Sequence, residues 1–260
     1  MIRIMSFNIW GDYFGNPVEE REGGIGKVVD SYSPDFLAMQ EATRNWHASK
    51  LFARLKEIYS FVEPADAPET NLVPLIYKKD KFDLIECGFI YFRDTPDYTK
   101  GSTWGVFEEK ASGKKLAVFC THFWWKYQGE KPHDLLRVSN AALLTDKAIE
   151  MCEKYGIPAV ALGDLNSGYS LPTLDYFKAA GWKLAEEDAV ETTKEGSYNN
   201  DPVRGADGKY HGTKTTDDYT KSLDHIVFRG EIKAMKFGIV SDQYALDVSD
   251  HSPIWCDFEV

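Results

Sequence analysis

The sequence predicts an α/β or α+β sandwich, and three observations lead there. Short apolar runs of strand length recur along the chain, and each ends in polar residues. Stretches with apolar residues near helical spacing lie between them. A hairpin-like pair of runs, 103–109 with 114–121 across Ser112-Gly113, sits beside crossover helices, which argues against a purely parallel sheet. The first run, Ile2 to Asn8, sets Ile2, Ile4 and Ser6 against Arg3, Met5 and Phe7, an imperfect alternation suited to a strand covered on both faces. Further strands are predicted at Phe36–Glu41, Leu72–Tyr77, Thr103–Glu108, Leu116–Thr121, Pro158–Leu162, Leu223–Phe228 and Pro253–Phe258. Helices are predicted over Ser49–Tyr59, over Asp134–Tyr155 with Gly156 as the stop, and over Leu171–Ala180 ending at Gly181. Residues 192–222 are loop-rich, with turn chemistry at Tyr198 to Pro202 and Gly205 to Gly208.

The 260 residues contain no solenoid repeat, low-complexity tract or Pro/Ser-rich linker, so a single domain over 1–260 is expected. A chain 43% hydrophobic and 14% aromatic builds a sizeable core and is not a disordered one. Thirty Lys and Arg against 41 Asp and Glu leave a net charge of −11, which disfavours a generic nucleic-acid binder and suits divalent cations or small phosphates. None of Cys87, Cys120, Cys152 and Cys256 forms a CxxC pair, so free thiols are expected rather than a zinc knuckle. The N-terminal MIRIMSFNIWGDYF has no apolar segment of signal-peptide length, and no apolar run reaches the roughly 20 residues of a membrane span. A cytoplasmic location is expected, with secretion left open should a signal peptide have been removed beforehand.

The polar ends of the predicted strands share one chemistry. Asn8 ends the first and Gln40-Glu41 the second. Thr121-His122 and Asp164-Leu165-Asn166 end two more, Asp224-His225 falls in another, and Asp250-His251 precedes the last. Carboxylates, amides and imidazoles gathered at one end of a sheet are what a hard divalent metal and a phosphate require.

These segments, in chain order SFNIW at 6–10, MQE at 39–41, THF at 121–123, GDLN at 163–166, SLDHI at 222–226 and SDHSPI at 249–254, resemble the endonuclease/exonuclease/phosphatase family of metal-dependent phosphoesterases. The resemblance spans essentially the whole chain. It implies a four-layer sandwich of two mixed, mainly antiparallel β-sheets flanked by helices. It also implies Mg²⁺ as cofactor, with Mn²⁺ as the alternative. Glu41 would be the main ligand, Asn8 would hold the metal site or the scissile phosphate, and Asp250 would bind metal or orient His251. Asp164 would orient or deprotonate the attacking water, and Asn166 would hold the water or the phosphoryl oxygens. His251 would serve as general base or as a stabilising cation. His122 would donate to the phosphate or leaving oxygen, and Asp224 would pair with His122 to fix its tautomer. His225, one residue on, points to the other face of its strand and is expected to pack.

Substrate recognition is read at His211, in Tyr210-His211-Gly212, at the aromatic pair Trp124-Trp125, and at Arg44. The Trp pair suits a pocket wall, core packing or a membrane contact, and Trp10, Tyr13 and Phe14 suit the same mouth. The expected activity is hydrolysis of a phosphomonoester or phosphodiester in a small organic phosphate by in-line attack of water. The alternatives are a nuclease on DNA or RNA, which the net charge disfavours, and a non-catalytic binder of a phosphorylated ligand or partner. Oligomeric state is not legible.

Overall fold

A computed structural model describes residues 1–193, 195–215 and 218–260; residues 194, 216 and 217 of the loop-rich segment lie outside the described residues. The elements run β1 (Ile2–Asn8), α1 (Glu22–Tyr32), β2 (Phe36–Gln40), α2 (Arg44–His47), α3 (Lys50–Ile58), β3 (Tyr59–Phe61), β4 (Leu75–Lys78) and β5 (Phe82–Tyr91). There follow β6 (Gly101–Glu109), β7 (Lys115–His122), α4 (Lys131–Tyr155), β8 (Ala159–Asp164), α5 (Pro172–Ala179), β9 (Lys183–Leu184), α6 (Ala185–Asp188) and β10 (Glu191–Thr192). The chain closes with β11 (Asn199–Arg204), β12 (Tyr210–Lys214), β13 (Asp224–Arg229), β14 (Lys233–Ile239), α7 (Gln243–Leu246) and β15 (Ile254–Glu259).

One sheet has the order β10-β14-β15-β1-β2-β4-β3 and the other β5-β6-β7-β8-β13-β9. The pairs β1/β2, β7/β8 and β10/β14 are parallel and the other pairs antiparallel. The two faces of β1 explain its imperfect alternation. Ile2 and Ile4 enter the core between the sheets with Phe36, Val118, Leu162 and Ile226. Met5 and Phe7 face the opposite way, against Ile25 and Val28 of α1 and Phe52 and Leu55 of α3. The second sheet repeats the arrangement, with Phe119 and Ala161 packed on Ala141, Leu144 and Ala148 of α4 and Phe177 of α5. These three apolar interfaces make the four layers helix, sheet, sheet, helix. All four cysteines are free thiols. Among the described residues no helix is long and apolar enough to cross a membrane.

The predicted helices stand close to their predicted limits. Ser49 caps α3 by accepting from the Phe52 amide at 3.2 Å, and Gly156 closes α4. The predicted strand over Leu72–Tyr77 is shorter and begins at Leu75, because Pro74 has no amide to give a ladder. The loop-rich segment contains the β11–β12 hairpin, turned at Gly205–Gly208 where turn chemistry was predicted.

Candidate active site at the strand ends

Register alone gathers the polar residues. In the parallel pair β1/β2, Asn8 stands opposite Gln40, just before Glu41. In the parallel pair β7/β8, His122 stands opposite Asp164. Antiparallel β13 begins there too, so Asp224 also stands opposite Asp164. The strand after His251 runs antiparallel to β1, which sets Asp250 and His251 at the same end. Gly163 permits the approach, because a Cβ there would lie 1.8 Å from the Thr121 carbonyl oxygen.

Asp164 is the hub. Its Oδ2 accepts from Asn8 Nδ2 at 3.0 Å and lies 3.3 Å from His122 Nε2 and 3.8 Å from His251 Nε2. Its Oδ1 accepts from the Asn166 amide at 2.9 Å. Burial opposes ionisation of Asp164, but His251 and His122 outweigh it and hold the carboxyl well below the usual carboxylate range. His251 Nδ1 bonds Asp224 Oδ2 at 2.7 Å, and Ser197 Oγ donates to the same oxygen at 2.7 Å. Burial would lower the His251 pKa, yet Asp224, Asp164 and Asp250 raise it well above 6.5. His251 therefore sits between two carboxylates that favour its cationic form.

Glu41 takes the other side. Its Oε1 lies 3.3 Å from Asn8 Nδ2, and its Oε2 accepts from the Gly11 amide at 2.7 Å. Burial works against its charge, but His122 and Lys100 prevail and lower its pKa. Burial pushes Asp250 up to about 7; His251 opposes this, and Glu41, Asp201 and Asp164 add to it. Trp10, Glu41 and Asn166 all hold left-handed backbone, with φ of 54°, 63° and 49°. Such strain costs about 1–3 kcal/mol per residue and persists where surroundings over-determine the conformation.

These groups floor a cavity of about 930 Å³. Glu41, His122, Asp164, Asn166, Asp250 and His251 line it, as do Trp10, Tyr13, Phe14 and Trp125 at the mouth. Several expectations are corrected. Asp224 does not pair with His122; it pairs with His251, because β13 begins beside the loop carrying His251. Trp124 is a packing residue, 5% exposed, whose Nε1 donates to His133 Nδ1 at 2.9 Å. His211 lies outside the cavity on the exposed face of β12, where Asp207 holds its Nε2 at 3.0 Å. Arg44 starts α2 on the surface and does not line the cavity. His225 packs as expected, buried with Nδ1 2.5 Å from Glu186.

Sequence reasoning missed Lys100, which lies in the cavity wall, 7% exposed, with Nζ 2.9 Å from His122 Nε2. Extending the predicted β6–β7 hairpin by three residues would have found it, since Gly101 stands opposite His122 and Lys100 comes just before. It also missed Asp97, Tyr198 and Asp201, which line the same cavity.

The donor set fits a hard divalent cation: the carboxylates of Glu41 and Asp250 and the Asn8 amide are all oxygen-bearing groups, and a positive charge would offset the burial and the carboxylate neighbours that raise Asp250. Asp164, Asp224 and His251 also cluster within 4.8 Å, but His251 is already shared by the two carboxylates there.

A four-layer sandwich with this cluster under a cavity defines a metal-dependent phosphoester hydrolase. The family model described as Endonuclease/Exonuclease/phosphatase family matches residues 5–251, and the chain belongs to that family. Among solved structures it resembles an endonuclease/exonuclease/phosphatase of Bacteroides vulgatus, at TM-score 0.80 and 22% identity, covering 100% of this chain and 98% of that one. It also resembles the mannosyl-6-phosphatase of Bacteroides thetaiotaomicron, at TM-score 0.76 and 20% identity, covering 100% of both. A third likeness is to TDP2 of D. rerio complexed with a single-strand DNA product, at TM-score 0.74 and 17% identity, covering 100% and 99%. At these identities the likeness is one of fold. No curated protein sequence gives a significant match.

Proposed function

We propose that the protein is a Mg²⁺-dependent phosphoesterase that hydrolyses a small organic phosphate by in-line attack of water. The observation that carries the reading is the Asp224–His251–Asp164 chain at the floor of a cavity sized for a small ligand. Asp164, held ionised, accepts a hydrogen bond from the attacking water and aims it; so acidic a carboxylate is a weak base, and positioning is its main task. His251, held cationic by Asp224, donates from Nε2 to the phosphoryl oxygens as charge grows on them. This assigns His251 the stabilising role rather than the general base. His122 and Lys100 stand on the other side of Asp164, placed to donate to the phosphate or the leaving oxygen. Asn166, whose Nδ2 donates to the Phe123 carbonyl at 3.2 Å, presents its amide beside the same oxygens. Glu41, Asp250 and Asn8 would hold the divalent cation, Mg²⁺ or Mn²⁺, which supplies charge neutralisation at the phosphoryl group.

The structural neighbours include a phosphatase and a protein bound to a DNA product, which supports phosphoester chemistry at this kind of site. The acidic lining, with Glu41, Asp97, Asp164, Asp201 and Asp250 against Lys100 and Lys221, favours the small substrate over a nucleic acid. A panel of aryl phosphate, aryl phosphodiester, sphingomyelin and plasmid DNA with Mg²⁺ tests this. Turnover of a small ester, lost in His251→Ala, is expected; turnover of DNA alone would overturn the small-substrate reading.

A further inference from the structure

We propose that the substrate is a sugar or similar polyol bearing one phosphate monoester, an inference that rests on the phosphoesterase reading above. The cavity has two chemically distinct zones. Deep in it, the buried Lys100 ammonium joins His122 and His251 around the hydrolytic centre. These donors stand on both sides of Asp164, enough to meet each of the three free oxygens of a phosphate monoester, where a diester has two. Further out the sign reverses. Asp97 stands on the Lys100 side, with Lys100 N donating to its carbonyl at 3.2 Å. Its Oδ1 is occupied by the Thr99 amide and hydroxyl, at 2.9 and 2.6 Å, and its Oδ2 has no hydrogen bond among the described residues. Asp201 stands on the other side, exposed, three residues after Tyr198, whose ring centroid is 5.5 Å from that of His251. Its carboxylate makes no hydrogen bond among the described residues.

Two carboxylates with accepting capacity receive hydroxyl groups well and repel a second phosphate. Trp125 and Tyr198, 49% and 39% exposed, add flat apolar faces on which the C–H side of a sugar ring packs. A polyphosphate or a nucleic-acid backbone would bring further anions to Asp97 and Asp201, with Lys221 as the rim ammonium against them. In the reaction the water oxygen bonds to phosphorus and the bond from phosphorus to the sugar oxygen breaks. A proton from the water ends on that oxygen, leaving inorganic phosphate and the free polyol.

The test compares kcat/KM with Mg²⁺ for p-nitrophenyl phosphate, mannose 6-phosphate, glucose 6-phosphate, fructose 1,6-bisphosphate, AMP and ADP, in wild type and Asp201→Lys. A hexose monophosphate is expected to exceed the bisphosphate, and AMP to exceed ADP, by at least tenfold. Asp201→Lys, confirmed folded by its thermal melt, is expected to narrow the monophosphate-to-bisphosphate ratio at least tenfold. Equal or better use of the bisphosphate or of ADP, or an unchanged ratio in Asp201→Lys, overturns the sugar assignment while aryl phosphate turnover leaves the phosphoesterase reading standing. No turnover of aryl phosphate or any sugar phosphate overturns both.

Discussion

At the scale of single residues, the strand ends named the site but not its wiring. Asn8, Glu41, His122, Asp164, Asn166, Asp250 and His251 were legible because their motifs stand in the family's chain order; a polar residue ending an apolar run is by itself often a turn or a helix cap. The partner of Asp224 was not, because pairing depends on which loop folds beside β13, a tertiary fact absent from spacing. The Asp224–His251 bond predicts that His251→Ala lowers kcat on an aryl phosphate by about 10²–10³-fold, the usual loss for one charge-stabilising donor. Steady-state kinetics at saturating substrate reads it. His225 makes a separate prediction about stability. Burial would lower its pKa, but Glu186 outweighs burial and raises it above 6.5. The pair's stabilisation is therefore complete below pH 6.5 and is lost as pH rises through the higher folded value. The melting temperature of wild type should fall across that alkaline window by more than that of His225→Gln; equal slopes would contradict the assignment.

At the scale of elements, legibility followed amphipathic clarity. Helices α3 and α4 were read from cap and stop residues. Helix α1 was not predicted, and Gly23, Gly24 and Gly26 lower the helix propensity of its first turns. The structure supplies the reason for one of them: a Cβ at Gly24 would lie 2.5 Å from Val248 Cγ1 and 2.8 Å from the Tyr244 carbonyl oxygen. Strand β5 was missed because Asp83 and Glu86 interrupt its apolar pattern on an edge strand, where charge is tolerated. Two elements carry predictions. Gly163→Ala drives a Cβ into the Thr121 carbonyl where β7 meets β8, and a loss of about 3 kcal/mol or more in unfolding free energy is expected from denaturant titration. Arg137, fully buried in α4, donates to the carbonyls of Trp124 and Lys126 at 3.1 and 2.9 Å and also bonds Asp134. It ties down the loop that presents Trp125. Arg137→Met should cost roughly 3–5 kcal/mol, since it leaves Asp134 and those carbonyls without their donor.

At the scale of the whole molecule, the mixed hairpin and crossover pattern predicted an α/β or α+β sandwich, the family resemblance implied its four layers, and the three apolar interfaces agree. The cavity's upper wall was less legible. Asp97 and Asp201 lie in loops whose approach to the site is set by the packing of β6 and of the β11–β12 hairpin. The net charge of −11 and the acidic rim make a whole-molecule prediction: kcat/KM for a small phosphate should change by less than about tenfold between 50 and 200 mM salt, where a nuclease with several phosphate contacts would lose about 10³-fold or more in affinity. The central claim is that oxygen donors at Glu41 and Asp250 hold a divalent cation that the Asp224–His251–Asp164 chain needs for phosphoester hydrolysis. The most direct measurement is aryl phosphate hydrolysis by the EDTA-treated protein, before and after Mg²⁺ is restored, beside Glu41→Gln. No turnover is expected without metal, with recovery on restoring Mg²⁺ and little recovery in Glu41→Gln. Full turnover in EDTA, or a Glu41→Gln variant that recovers as well as wild type at the same Mg²⁺ concentration, would contradict it.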